Sequence, residues 1–389
     1  MRLSDCTNIA DLRRLAKRRL PAPIFGYLEG GADDEWSCAN NSRAFDRYEL
    51  VTEVLADIAI IDMKTTVLGR EVAAPLLLSP TGMSRLFHHD KELAVARAAA
   101  RAGLFYTLST VATASIEEVA AASAGPKMFQ VYVFKDRGLT RELVARAKTA
   151  GYDALCLTVD TPVAGNRERD LKSGLALPPR LSPASIAAFA RHPIWVARAL
   201  ASRDFTLANV AHHAAAAPGE ATSVAAYVHA QFDRSLTWAD AEWLASEWNG
   251  PLVIKGILVP DDAREAARVG ARAVMISNHG GRQLDGTPAP IDQLRPIRDA
   301  VGDDLELIVD GGIRRGTHVV KALALGADAC SIGRPYLYGL AAGGEAGVAR
   351  ALTLLLEEIE RDMALLGTRS IDRITRRHVQ VRTRPHPQD

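Results

Sequence analysis

Eight short β-branched or leucine-rich runs, separated by alanine-rich stretches of helical spacing, constrain the fold of this chain more than any other feature. The runs are Leu76–Leu78, Phe105–Leu108, Met128–Tyr132, Leu155–Val159, Leu252–Ile254, Val274–Ile276, Leu307–Val309 and Ala329–Ile332. Between them the spacing predicts helices over Glu92–Ala102, Ile116–Ala122, Leu139–Ala150, Asp261–Val269 and His318–Leu325. Gly103, Gly151, Gly270 and Gly326 stand where helices end on a glycine. Strand–helix alternation imposes parallel pairing with right-handed crossovers. Eight units of about 25 residues close best as a (β/α)8 TIM barrel, an α/β fold. An open doubly wound sheet would carry a GxGxxG loop after its first strand, whereas Ser79-Pro80-Thr81-Gly82 stands there.

The chain therefore reads as one domain over 1–389, with the barrel at 71–375 and a helical cover formed by 1–70. The interval between the fourth and fifth runs, residues 160–250, is too long for a crossover and predicts an insertion or lid over the barrel's catalytic face. The polar tail from Gln380 to Asp389, with its two prolines, is expected to fray. A composition 48% hydrophobic and 24% charged suits a globular chain, and a net charge of +1 gives no reason to expect nucleic acid. Cys6, Cys38, Cys156 and Cys330 form no CxxC or zinc spacing, so no metal and a reduced, cytoplasmic setting are expected. Met1–Asp5 lacks a signal-peptide core, and no run of about 18 apolar residues predicts a membrane span.

The chemistry concentrates in Ser277-Asn278-His279-Gly280-Gly281-Arg282-Gln283-Leu284-Asp285-Gly286, which follows the sixth run and precedes a Pro-containing turn and a helix from Ile291. An imidazole in a Gly-rich loop at a strand's carboxyl end can move a proton near neutral pH. A guanidinium three residues on can grip a carboxylate through two parallel hydrogen bonds. A turn with a capping histidine and a solvated arginine is the blander alternative. Runs seven and eight lead into Asp310-Gly311-Gly312-Ile313-Arg314-Arg315-Gly316 and Gly333-Arg334-Pro335. Glycines there let backbone N–H groups approach an anion, and the loops after the last two strands of such barrels often bind phosphate. Polar residues end nearly every run: Ser109, Gln130 and Tyr132, Thr158 and Asp160, Lys255, and Ser277 with His279. Together they predict a pocket for a polar planar ligand.

These motifs resemble the FMN-dependent L-2-hydroxyacid oxidase and dehydrogenase family over about residues 8–375. The resemblance rests on Phe25-Gly26-Tyr27-Leu28-Glu29-Gly30-Gly31-Ala32, Pro80-Thr81-Gly82-Met83, Leu108-Ser109-Thr110, Phe129-Gln130-Val131-Tyr132, Thr158-Val159-Asp160-Thr161-Pro162, Arg167-Glu168-Arg169-Asp170, Ile254-Lys255-Gly256, the decapeptide and Asp310-Gly311-Gly312. It implies that FMN is the cofactor and His279 the catalytic base, with Asp160 holding its imidazolium. Arg282 and Arg167 would clamp the substrate carboxylate, and Tyr27 and Tyr132 would add hydrogen bonds. Lys255 would lie near flavin N1 and O2; Pro80, Thr81, Gly82, Ser109, Gln130, Thr158 and Ser277 would contact the ring and ribityl chain; and Asp310, Gly311, Gly312, Arg314, Gly333 and Arg334 would take ribityl and phosphate. A small L-2-hydroxy acid would be oxidised to its 2-oxo acid, leaving open whether His279 removes the α-proton or the hydroxyl proton.

Gly82 resembles the family's dehydrogenases, since the oxidases usually carry alanine there, and Val111 stands where glycolate oxidase-like members have tryptophan. Both small residues leave room for a lactate- or mandelate-sized substrate, with quinone or another carrier as acceptor; an oxidase using oxygen is the alternative. A non-redox (β/α)8 isomerase or aldolase of a phosphorylated substrate is the rival of another class. The resemblance also implies a homo-oligomer, a tetramer. The sequence as given shows no haem domain ahead of the barrel, which disfavours a flavocytochrome arrangement. Residues 184–216 are apolar and Trp-bearing, with Arg191, Arg198 and Arg203 against Asp204, a net of +2. That pattern suits a helix lying on the inner, anionic face of the cell membrane. It equally suits a lid packed on its own barrel or a subunit interface.

Overall fold

The computed structural model describes residues 1–174, 182–201, 206–212 and 231–382. Eight parallel strands close a barrel in sequence order: β4 (Leu76–Leu78), β5 (Phe105–Ser109), β6 (Lys127–Val131), β7 (Ala154–Thr158), β8 (Leu252–Ile257), β9 (Ala273–Ser277), β10 (Glu306–Asp310) and β11 (Ala329–Ile332). β11 pairs with β4 through Cys330↔Leu76 and Ile332↔Leu78, which closes the ring. Six of these strands are buried along their whole length, as expected when helices cover one face and packed side chains fill the other. The expected crossover helices form within two residues of their predicted ends, and Gly103, Gly151, Gly270 and Gly326 follow them at φ 65°, 72°, 83° and 108°. That left-handed backbone is the geometry a Cβ would penalise.

The cover is not wholly helical. After α1 (Ile9–Arg19), α2 (Ala22–Glu29) and α3 (Trp36–Arg43) comes β1 (Tyr48–Leu50), and β2 (Thr65–Val67) and β3 (Arg70–Val72) form a hairpin. Val67, Leu68 and Val72 of the hairpin pack with Leu77, Phe105, Met128, Met275 and Ile308 inside the barrel, so the hairpin plugs its amino-terminal mouth. The start of the tail is paired rather than frayed: Val379–Val381 is β12, antiparallel to β1 through Glu49↔Gln380, while residues 383–389 lie outside the described residues. Ladder hydrogen bonds hold those residues, whatever their polarity.

After β7 come α7 (Glu168–Ser173), α8 (Pro183–Ala190) and α9 (Pro193–Ala201), while α10 (Trp238–Trp248) packs beside α6 (Arg137–Thr149) and leads directly into β8. α10 is thus the barrel's own crossover helix rather than part of the inserted segment. Of residues 184–216, 202–205 and 213–216 lie outside the described residues, Arg203, Asp204, Phe205 and His213 among them. The helix Arg334–Leu366 is long and apolar enough to cross a membrane by length and composition, but most of its apolar stretch is buried. It bends at Gly343 and Gly344 and packs on α1 and on the helix Lys91–Arg101.

Candidate active site

At the carboxyl ends of the strands lies a cavity of about 250 Å³. Every residue singled out above for the site lines it except Asp160 and Ser277, which each stand one side chain behind the wall.

The decapeptide leaves β9 and turns sharply. His279 adopts φ 56°, followed by Gly280 at 66° and Gly281 at 72°. A left-handed histidine is strained and persists only where its surroundings impose it. Two contacts do so: the His279 N–H donates to Ser277 Oγ at 3.1 Å, and its Nδ1 meets Asp160 Oδ1 at 2.9 Å. Its Nε2 has no protein partner among the described residues. A bulge in β8 makes room for Asp160: Gly256 sits at φ 113°, and a Cβ there would meet the Asp160 Cβ at 2.8 Å. Asp160 Oδ2 is buried without a hydrogen bond.

Gln283 was not singled out in the sequence, yet it ties the two loops together. Its Nε2 donates to the carbonyls of Asp160 and Val163 at 3.0 and 2.9 Å, and its Oε1 accepts from the Gly165 N–H at 3.2 Å. The N-terminal cover closes from the other side. Ala32 N–H donates to Gly281 O at 2.8 Å, and a Cβ on Gly281 would lie 2.4 Å from Cys38 N.

Arg282 donates from Nη1 to the carbonyls of Tyr27 and Gly30 at 3.0 and 2.8 Å, and its guanidinium lies 5.1 Å from the Tyr27 ring. Those carbonyls end α2, where helical partners run out. Burial, reinforced by the neighbouring Arg167 and Arg334, pulls Arg282 down to about 10, still charged at neutral pH. Arg167 reaches the same ring at 5.6 Å while pairing with Asp170 at 3.5 Å. Both arginines thus lie against the Tyr27 ring, and among the described residues Arg282 Nε and Nη2 have no hydrogen-bond partner. Burial, then the nearby Asp160, pushes the Tyr132 hydroxyl well above its ordinary value, so it stays a donor. Its ring meets Phe232 edge-on at 5.1 Å.

Deeper in, Lys255 Nζ donates to Asp310 Oδ2 at 2.6 Å and to Ser277 Oγ at 2.7 Å. Ser277 Oγ in turn donates to Asp310 Oδ2 at 2.8 Å, and Ser79 Oγ to Oδ1 at 2.5 Å. Burial opposes both charges, but the pairing prevails: Lys255 is raised, chiefly by Asp310, and Asp310 is lowered, chiefly by Lys255. Ser79 is bonded also to Ser331 at 2.6 Å; it was not among the residues singled out in the sequence.

Among the described residues, two buried donor groups beside this network lack partners. Gln130 Nε2 has none, although its Oε1 accepts from Ser109 Oγ at 3.0 Å, and Thr158 Oγ1 has none. Uncompensated buried polar atoms are costly, so these suit the edge of a bound heterocycle. Pro80–Gly82 is held by Tyr336, whose hydroxyl donates to Ser79 O at 2.8 Å and meets Thr81 Oγ1 at 2.7 Å. A Cβ on Gly82 would lie 2.6 Å from Val111 Cγ2. Gly311 and Gly312, at φ 134° and 80°, line the far end with Arg314 and Gly333. Arg334 also lines the cavity, and it donates to the carbonyls of Leu28, Gly280 and Gly30 at 3.3, 3.0 and 2.9 Å. It fastens the cover to the decapeptide. The cavity as a whole brings together unpaired polar atoms, an anion-suited glycine loop and an arginine–histidine constellation.

The family model described as FMN-dependent dehydrogenase matches residues 16–381. Glycolate oxidase 1 of Zea mays is 42% identical over 97% of this chain and 96% of its own length, and glycolate oxidase of Spinacia oleracea 40% over 96% of each. Among solved structures, the monotopic membrane protein (S)-mandelate dehydrogenase superposes with a TM-score of 0.92 at 36% identity, over 97% of this chain and all of its own. A mutant mandelate oxidase with (S)-mandelic acid superposes with a TM-score of 0.82, also at 36% identity, over 98% of this chain and all of its own. These findings exclude the isomerase and aldolase alternatives.

Proposed function

The chain belongs to the FMN-dependent 2-hydroxyacid oxidase and dehydrogenase family, and from that premise we propose roles for its residues, a substrate and an acceptor. The orphaned Gln130 and Thr158 atoms, the buried Lys255 and the glycine loop fit FMN. Gln130, Thr158, Ser109, Ser277 and Pro80–Gly82 would hold its ring system, Lys255 would face the ring's N1 edge, and Gly311, Gly312, Arg314 and Gly333 would hold its phosphate. When bound, FMN supplies the two-electron acceptor for the hydroxy acid.

The observation that carries the reading is the His279–Asp160 contact at 2.9 Å at the cavity wall. An Nδ1–H directed at a carboxylate fixes the tautomer and leaves Nε2 free to accept a proton. Asp160 then stabilises the imidazolium that forms. Arg282 takes the substrate carboxylate with its uncommitted nitrogens, Arg167 adds charge across the Tyr27 ring, and the Tyr27 and Tyr132 hydroxyls fix the substrate's oxygens. The substrate's side group would face Met83, Phe87, Val111, Leu207 and Phe232, an apolar wall with room for more than glycolate. An L-2-hydroxy acid of lactate or mandelate size therefore fits best.

A quinone or similar carrier is the favoured acceptor, since Gly82 leaves Val111 against the loop. The similarity to glycolate oxidases supports oxygen as the second reading. Ile186, Ile194 and Leu200 on α8 and α9 are 57%, 71% and 77% exposed, which favours contact with a membrane surface. Trp195 does not join them, because its Nε1 donates to Leu86 O at 3.0 Å and its ring packs on Phe189. Cosedimentation with anionic vesicles tests this contact; a protein left in the supernatant at low salt contradicts it.

The deciding experiment mixes FMN-loaded protein anaerobically with glycolate, L-lactate, (S)-mandelate and the D or R enantiomers. Rapid bleaching of flavin absorbance by L-lactate or (S)-mandelate, and none by the enantiomers, is expected. Fastest bleaching by glycolate would overturn the substrate assignment.

A further inference from the structure

A second cavity, of about 720 Å³, lies behind Phe87, whose ring belongs to the walls of both cavities. Its other walls come from parts distant in sequence: the end of α1, the segment Arg85–His89 after β4, and α9. Among the described residues no Asp or Glu lines it.

Arg85 is the distinctive group. It is 9% exposed, and its Nη1 donates to His89 O at 2.6 Å. No carboxylate among the described residues pairs with it. A buried guanidinium without a counter-charge is unfavourable unless something negative meets it. Arg19 and Arg198, both exposed, stand at the rim and add to the positive field. His88 registers that field: burial, then His89, hold its imidazole down to about 4, with Arg198 and Arg19 contributing in the same direction against Asp90. Leu20, Ile194 and Ala341 add apolar surface to the lining.

A metal ion is the rival occupant, because the ligand atoms of His88, His89 and Asp90 lie within 4.8 Å of one another. Two facts oppose it. The His88 Nδ1 already accepts from the Asp90 N–H at 3.2 Å, and the surrounding arginines repel a cation.

We propose that this cavity binds an oxyanion of the phosphate type, with Arg85 as its buried partner and Arg19 and Arg198 closing over it. The anion is either a small soluble phosphate or the headgroup of an acidic phospholipid, whose chain the apolar surface would accompany. The site is separate from the FMN phosphate loop at Gly311 and Gly312, so the test uses holoenzyme saturated with FMN.

Inorganic phosphate is titrated calorimetrically at constant ionic strength against chloride, and phosphatidylglycerol and phosphatidylcholine vesicles are compared by flotation. Each is run on the wild type, Arg19→Ala/Arg198→Ala and Arg85→Gln. Saturable binding of inorganic phosphate, weakened about tenfold or more in both variants with flavin absorbance unchanged, is expected. Phosphate binding without flotation identifies a soluble ligand. Flotation on phosphatidylglycerol alone, lost in both variants and competed by phosphate, identifies a headgroup. Binding of neither probe, or binding that both variants leave intact, overturns the proposal.

Discussion

Two acid–base pairs stand at neighbouring strand ends of the barrel, and they are built for opposite purposes. Lys255 and Asp310 are 5% and 9% exposed, meet at 2.6 Å, and are enclosed by Ser277 and Ser79. His279 and Asp160 are 25% and 13% exposed, meet at 2.9 Å, and leave Nε2 and Oδ2 unbonded. The first pair is buried and bonded on both sides by serine hydroxyls, with one Lys255 N–H left over, and its mutual attraction holds both charges against burial. The second keeps an unbonded nitrogen at the cavity wall, which is the arrangement the proposed base requires. Bonding and exposure, more than residue type, separate a fixed charge from a proton carrier.

Removing the vacant nitrogen should have the largest effect. His279→Gln should keep FMN and its melting temperature but reduce flavin several orders of magnitude more slowly in anaerobic stopped-flow, because nothing replaces the base. Near-wild-type reduction would remove the distinction between the pairs. Next comes the carboxylate grip. Arg282→Met should lower kcat/KM about a hundredfold, and Arg282→Lys should recover only part of it, since a point charge cannot reproduce the fork. Full recovery in steady-state kinetics would argue for simple charge attraction. A smaller, several-fold effect is expected from Gly82→Ala: the new methyl must displace Val111 Cγ2, which lies 2.6 Å from the Cβ position, and reoxidation of reduced enzyme by oxygen should speed up. Stopped-flow reoxidation reads it, and unchanged or slower reoxidation would contradict the acceptor assignment.

The smallest effect concerns acid stability beside the phosphate loop. His318 stacks on Phe45 at 4.3 Å and reaches Gly312 O at 3.3 Å, and burial lowers it from 6.5 to about 4. The unfolded chain binds that proton first, so this stabilisation is full above pH 6.5 and is lost as pH falls toward 4. His318→Gln should flatten the fall in melting temperature over that window by on the order of 2 °C. An equally steep fall in the variant would assign the acid sensitivity elsewhere, His88 being the other histidine lowered to about 4.

The barrel was legible because strands buried on both faces read as unbroken apolar runs, and because glycines punctuate its helices. His279 and Arg282 were legible because reactive side chains stand out in a Gly-rich loop. The hairpin at Thr65–Val72 was not: its turn places Leu68 at φ 51° and Gly69 at φ 77°, and a leucine gives no turn signal. The pairing of Lys255 with Asp310 depends on closure across β9, which residue spacing does not encode. Ser79, Gln283 and Tyr336 act through hydrogen bonds to backbone or neighbouring side chains, so their importance appears only once the loops are assembled.

The most direct test compares the two aspartates by the same substitution, Asp160→Asn and Asp310→Asn, following flavin absorbance, melting temperature and the anaerobic rate of flavin reduction. Asp160→Asn should retain FMN and stability while slowing reduction by about two to four orders of magnitude. Asp310→Asn should strand the Lys255 ammonium in the barrel, costing about 3–5 kcal/mol of stability and loosening FMN. Equal phenotypes for the two variants, or a stable, FMN-loaded Asp310→Asn beside an unstable Asp160→Asn, would contradict the division between a proton carrier and a fixed charge.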